Sequence, residues 1–174
     1  MEPITAAALQ ALMQGLGERC SQPATLYLLG GSALCFMGSP RQTLDLDYMA
    51  ETSTEAGHEF QKALVDLEEV PIGEFIPLPA STAERHQLVG RFGQITVYIF
   101  DPYTIALSKI ARGFESDLED VLFMIQTGVI RYAELEQHFH EILPRAAKSD
   151  IDPREFRAYF AEIRHRINGR GAPG

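Results

Sequence analysis

The chain has 174 residues, 45% hydrophobic and 22% charged, and its 24 acids against 15 lysines and arginines give a formal net charge of −9. That balance excludes collagen-like, low-complexity and coiled-coil chains and fits a globular protein long enough to bury a real core. An acidic surface also disfavours a broad face for phosphate backbones, while leaving room for a local basic site.

In chain order, Ile4 to Gly17 carries Ile4, Ala8, Leu9, Leu12, Met13 and Leu16 on one helical stripe, with Gly15 and Gly17 expected to end the helix. Thr25 to Leu29 is a short apolar run stopping at Gly30-Gly31, the pattern of a buried strand meeting a tight turn. Ser32 to Met37 predicts two turns of helix closed by Gly38. Thr43 to Met49 alternates apolar and polar residues, a strand signal. Thr52 to Val70 predicts a helix stopped by Pro71, and Phe75 to Leu78 an edge strand, because Pro77 cannot donate within a ladder. Arg85–Phe92 and Ile95–Phe100 flank Gly93-Gln94 as a β-hairpin. From Pro102 the pattern is helical, over Pro102–Arg112, Asp117–Thr127, Tyr132–Leu143 and Pro153–Asn168. The expected fold class is α+β: a small mixed sheet flanked by helices over residues 1–100, a helical C-terminal part over 101–168 packed on it as one compact unit, and a flexible tail at 169–174.

The chemistry concentrates where Gly30-Gly31-Ser32 is followed, with twelve residues between, by Asp45-Leu46-Asp47. Residues i and i+2 of a strand share a face, so Asp45 and Asp47 project together. Paired carboxylates suit a hard divalent cation, and two such ions can clamp the attacking and leaving oxygens of an in-line displacement. A Gly-Gly-Ser turn opening a helix lets backbone N–H groups approach a phosphate, with the hydroxyl as a further donor. Taken singly, each motif also reads as an ordinary turn or a solvated strand face.

Leu29-Gly30-Gly31-Ser32 with Asp45-Leu46-Asp47-Tyr48 resembles the signature of the DNA polymerase beta-like nucleotidyltransferase superfamily. Lys109, Arg112, Asp117 and Asp120 resemble the Lys…Arg…Asp-x-x-Asp helical segment of small prokaryotic AbiEii-type and MenT-type toxin nucleotidyltransferases, and more closely an uncharacterised relative family. The resemblance covers roughly residues 25 to 130. It implies a nucleotidyltransferase-like fold and Mg²⁺-dependent transfer of a nucleoside monophosphate from a nucleoside triphosphate. The acceptor it implies is a tRNA end, a protein hydroxyl or a small molecule, and a toxin would bring an antitoxin partner. Carried over by residue, Asp45 and Asp47 bind metal, a two-metal site included. Gly30, Gly31, Ser32, Lys109 and Arg112 hold the nucleotide, with Lys109 and Asp117 or Asp120 essential for catalysis. The chain departs from the wider superfamily in having no acid on Ile95–Phe100; the nearest are Asp101 and Glu74.

Several residues have plainer readings. Lys109 and Arg112, three apart, also make a solvated cationic face. Ser116 and Glu119 read as a capping box, which would account for Asp117 and Asp120 at a helix start. Arg154, Arg157, Arg164, Arg166 and Arg170 make the last helix locally basic, either a solvated face or an RNA-contacting edge. Tyr98, Phe100 and Tyr103 are expected in the core. Cys20 and Cys35 form no CxxC, and His58, His86, His138, His140 and His165 show no metal-ligand spacing, so neither zinc nor a disulfide framework is expected. No run approaches eighteen apolar residues and no basic leader precedes an apolar stretch, which leads to the expectation of a cytoplasmic protein without a membrane partner. The rival functional reading is a catalytically inert nucleotidyltransferase-fold binding module.

Overall fold

Apolar runs with period-two alternation and a run of capped helical stripes separate the chain into two compact units, seen in a computed structural model that describes residues 3–43, 46–53, 57 and 68–170. The first unit is Met1–Val70 with His86–Phe100, and the second is Pro71–Arg85 with Asp101–Gly174.

The first unit holds helix α1 (Ala6–Arg19), strand β1 (Ala24–Leu29), helix α2 (Gly30–Phe36), β2 (Asp47–Thr52), β3 (Glu68–Glu69), β4 (Gln87–Phe92) and β5 (Ile95–Ile99). Among the described residues the strands form one five-stranded mixed sheet in the order β3-β2-β1-β5-β4. The central strand β1 runs antiparallel to β2 and parallel to β5, with Leu29 opposite Asp47 and Leu28 opposite Ile99. Alternation sorts the side chains: Leu26, Leu28, Val97 and Ile99 are buried on one face, together with Leu9, Met13 and Leu16 of α1. On the other face Tyr27 stacks on Tyr98 at 5.8 Å. The β4–β5 hairpin turns through Gly93 at φ 58°, and its register shifts between Leu88 and Gly90.

Four expectations for this unit change. Helix α1 continues through Gly15 and Gly17 to Arg19. Gly17 is present for a different reason, since a Cβ there would meet the Phe92 carbonyl oxygen at 2.4 Å. The second strand starts later than the alternation predicts, at Asp47, and runs on to Thr52, while Thr43 makes only an isolated bridge with Ile4. Thr52 and Glu68–Glu69, expected in a helix, are strand, because Glu68–Glu69 pairs in parallel with Asp47–Tyr48 and the Val70 N–H donates to the Tyr48 carbonyl at 2.8 Å. Most of the rest of that expected helix lies outside the described residues.

The second unit comprises a short helical turn α3 (Ile72–Phe75), a 3₁₀ turn at Thr82–Arg85, and helices α4 (Pro102–Arg112), α5 (Glu115–Gln126), α6 (Tyr132–Ile142) and α7 (Pro153–Gly169). Asp101 and Asp152 cap α4 and α7, each followed by proline, whose missing N–H costs nothing at a helix start. Ile105 and Ile110 of α4, Val121 of α5, Leu135 and Phe139 of α6 and Phe156, Phe160 and Ile163 of α7 build the core, with Phe139 stacked on Phe160 at 4.1 Å. The edge strand expected at Phe75–Leu78 does not form; Ile72–Phe75 is helical instead. Residues 71–85 are tied to the helices: Ala80 N–H donates to Glu141 at 2.6 Å and Arg145 to the Leu78 carbonyl at 3.1 Å.

Candidate functional site

In the first unit the junction of β1, α2 and β2 carries the Gly-Gly-Ser turn and Asp47. Gly30 adopts φ +51°, open to glycine at little cost, and a Cβ there would lie 2.2 Å from Asp47 Oδ2. The Asp47 carboxylate therefore rests directly against the Gly30 backbone. Gly31 is equally tight, since its Cβ would meet Thr43 Oγ1 at 2.4 Å. Ser32 is wholly buried; its hydroxyl lies 2.7 Å from the Leu29 carbonyl and 3.0 Å from the Asp47 carbonyl, sharing its one proton between them. It thus pins the end of β1 to the start of β2 and points inward, away from the phosphate-donor role that the motif suggests. Asp45 lies outside the described residues, so the expected pairing of Asp45 with Asp47 has no geometry to report. Asp47, Met49 and Glu51 alternate onto the sheet face that carries Tyr27 and Tyr98. There Tyr27 Oη donates to Glu51 at 3.3 Å, and burial, then the Glu51 charge, pushes its phenol up to about 12.

In the second unit, Lys109, Arg112, Asp117 and Asp120 come together. Lys109 is only 4% exposed, and its Nζ lies 2.8 Å from Asp120 Oδ2 and 3.8 Å from Asp117 Oδ1. Arg112 donates through Nε to Asp117 Oδ2 at 2.8 Å and through Nη2 to Asp117 Oδ1. Two cations and two carboxylates balance each other here. The helix spacing explains the arrangement: Lys109 falls on the inward stripe of α4, one turn from Ile105. The plainer reading of Lys109 as part of a solvated cationic face is overturned by this burial. The capping box also shifts, since α5 begins at Glu115 and the Asp117 carboxylate accepts the Phe114 N–H at 3.2 Å, in place of the Ser116–Glu119 pair.

Two sets of residues were not singled out by their motifs. Asp101 is fully buried and takes Arg85 Nε at 3.1 Å, Arg85 Nη2 at 2.9 Å, the Tyr103 N–H at 3.1 Å and the Thr104 hydroxyl at 2.7 Å. A carboxylate so engaged is a structural cap, which removes it as the nearest substitute for a strand acid. Tyr103 Oη donates to Glu134 at 2.6 Å and accepts the Arg131 N–H at 3.0 Å; burial first, and then Glu134, push its phenol up to about 12. The basic last helix is largely neutralised: Arg164 pairs with Glu136 at 2.7 Å, Arg166 with Glu115 at 2.7 Å and Glu162 at 2.8 Å, and Arg170 with Glu119 at 3.5 Å. Among the described residues no group of three or more His, Cys, Asp and Glu gathers as a ready metal site, and no helix is long and apolar enough to cross a membrane.

The profile of a family described as "Nucleotidyltransferase of unknown function (DUF6036)" matches residues 7–167. An antigenic nucleotidyltransferase-like protein from Paracoccidioides brasiliensis is similar in structure, with a TM-score of 0.45 and 14% identity over 84% of this chain and 92% of that one. No curated protein matches the chain.

Proposed function

The chain belongs to the DUF6036 nucleotidyltransferase family, and from that premise we propose that it moves a nucleoside monophosphate from a nucleoside triphosphate to a hydroxyl-bearing acceptor with help from Mg²⁺. The observation that carries this is the seating of the Asp47 carboxylate against Gly30, at a turn whose glycines leave room for the side chains of Asp47 and Thr43. Carboxylate oxygens are the donors a hard cation takes, so the residues present fit Mg²⁺, with Asp47 and Asp45 as its holders. When bound, the ion would neutralise charge on the phosphates and lower the barrier to displacement. The chain's own part is to hold that carboxylate still: Ser32 fixes the Asp47 backbone, and Gly30 leaves room for its side chain. The phosphate contact that the resemblance implies for Gly30 and Gly31 belongs to the same proposal. The acceptor class and a toxin role paired with an antitoxin, which the AbiEii-type and MenT-type likeness suggests, belong to the same proposal.

Lys109, Arg112, Asp117 and Asp120 enter it as a charge-balanced brace between α4 and α5, beside the nucleotide-holding role that the resemblance implies for them. One observation favours the second reading, an inert nucleotidyltransferase-fold module: the Lys109 ammonium is already taken by Asp120 and Asp117. Incubating the protein with α-labelled nucleoside triphosphates, Mg²⁺ and a cell extract separates the two. Transfer of label that is lost in Asp47→Asn and Asp45→Asn establishes the enzyme. Absence of labelled product, together with absence of Mg²⁺-dependent triphosphate binding by calorimetry, establishes the module.

A further inference from the structure

Ile4, just ahead of α1, directs both of its backbone groups at the surroundings of the Gly-Gly-Ser turn. Its N–H donates to the Thr43 carbonyl at 2.8 Å, closing an isolated antiparallel bridge. Its carbonyl accepts the Cys35 thiol of α2 at 3.5 Å. Thr5 follows as the N-cap of α1, its hydroxyl taking the Ala8 N–H at 3.1 Å, and the apolar stripe of that helix is buried. Ile4 is therefore tied to a fixed helix.

Thr43 is also gripped from a second side. A Cβ on Gly31 would lie 2.4 Å from Thr43 Oγ1 and 2.7 Å from Thr43 Cβ, as one on Gly30 would lie 2.2 Å from Asp47 Oδ2. The stretch from Thr43 to Asp47 thus rests by its two ends on consecutive glycines, whose Cα atoms are about 3.8 Å apart. Asp47 is held besides by the Ser32 hydroxyl on its carbonyl and by its place opposite Leu29. At the other end the hold belongs to Thr43, on Ile4 and Gly31.

We propose that Thr43 is a positioning residue for the carboxylates of the site and Ile4 its anchor, so that the segment ahead of α1 governs cation binding without touching the ion. Cation binding by Asp45 and Asp47 is taken from the function proposed above. A divalent ion shared by two carboxylates needs both in register before it arrives, since ordering them on binding subtracts from affinity. By linkage, an ion that favours the docked segment must also keep Ile4 over Cys35.

Iodoacetamide labelling of Cys35, followed by mass spectrometry of its own peptide, reads the docked segment without nucleotide or metal. Burial pushes this thiol up from its usual range, so undocking that exposes it speeds labelling. Ile4→Pro removes the N–H donor and should speed labelling about fivefold, the weight of one hydrogen bond. Ile4→Val should label as the wild type does. Calorimetry with a nucleoside triphosphate and Mg²⁺ reads the site. Ile4→Pro and Thr43→Ala should each weaken that binding about fivefold, and Thr43→Ser, which keeps the oxygen against Gly31, should restore it. Mg²⁺ with triphosphate should slow Cys35 labelling in the wild type and leave it unchanged in Asp47→Asn. Unchanged labelling in Ile4→Pro, wild-type binding in Ile4→Pro or Thr43→Ala, equal loss in Thr43→Ser and Thr43→Ala, or wild-type labelling indifferent to Mg²⁺ with triphosphate overturns the positioning role and leaves the function standing. A wild-type protein that binds no triphosphate with Mg²⁺ overturns the function, and the positioning role with it.

Discussion

At Gly30 the turn and the candidate carboxylate depend on the absence of a single methyl group. Gly30→Ala should cost about 1–2 kcal/mol for the left-handed backbone alone, and should displace Asp47 from its seat. The expected outcome is a folded protein by circular dichroism whose Mg²⁺-dependent triphosphate binding is lost. Lys109 behaves in the opposite way. Removing it takes the ammonium 2.8 Å away from the buried Asp120 carboxylate, while Asp117 keeps Arg112, and Lys109→Met is expected to destabilise the chain by about 3–5 kcal/mol in urea unfolding. Loss of activity in that variant therefore speaks to folding unless a stability measurement accompanies it. The end of β1 at Gly30 was legible from sequence because an apolar run stopping at a glycine pair marks a strand meeting a turn. The burial of Lys109 was less so. Its hint was a lysine on the apolar stripe of α4, with two acids three apart beginning the next helix. The direction of the Ser32 hydroxyl is set by the Leu29 carbonyl three residues before it and by the Asp47 carbonyl brought in from β2, and no local pattern announces the second.

Between elements, long-range polar contacts set the geometry. Tyr103 links the start of α4 to α6 through Glu134 and the Arg131 N–H. Its folded pKa of about 12 lies above the usual 10, so the fold favours the neutral phenol. That contribution is complete below pH 10 and is lost as pH rises through 12. Urea unfolding followed across this window should show stability falling with pH, and Tyr103→Phe should flatten the decline while costing about 0.5–1.5 kcal/mol at neutral pH. Gly17→Ala should destabilise by about 1–3 kcal/mol, because α1 and the β4–β5 hairpin must part to admit a methyl group; thermal unfolding measures it. The hairpin and the four long helices were readable because two-residue turns, Asp-Pro starts and apolar stripes act locally. The failed edge strand at Phe75–Leu78 and the early start assigned to β2 have a common cause. Strand identity is conferred by a partner, and the partners of these segments lie far away in sequence.

Over the whole molecule, charge is distributed in pairs. Of the five arginines that invited an RNA-binding reading, Arg164, Arg166 and Arg170 are matched by Glu115, Glu119, Glu136 and Glu162. With a net charge of −9, the chain should pass through heparin at low salt and neutral pH without retention, and its affinity for long RNA should be weak. Strong retention would show a cationic surface that the pairing hides. Any nucleic-acid contact is thus expected to be small rather than a long electrostatic footprint.

The parallel pairing of β1 with β5 also has a consequence in time. Ala24 to Leu28 are matched by Ile95 to Ile99, about seventy residues further along the chain. During synthesis at about 5–20 residues per second, that separation amounts to a wait on the order of 3 to 14 seconds. Through that interval β1 has β2 on one side and a bare edge on the other, with Leu26 and Leu28 lacking the neighbours that later bury them. An unpaired, strongly apolar strand edge is a template for wrong partners. The nascent chain is therefore most vulnerable to aggregation, and most in need of a chaperone, after β1 has emerged and before the β4–β5 hairpin follows it.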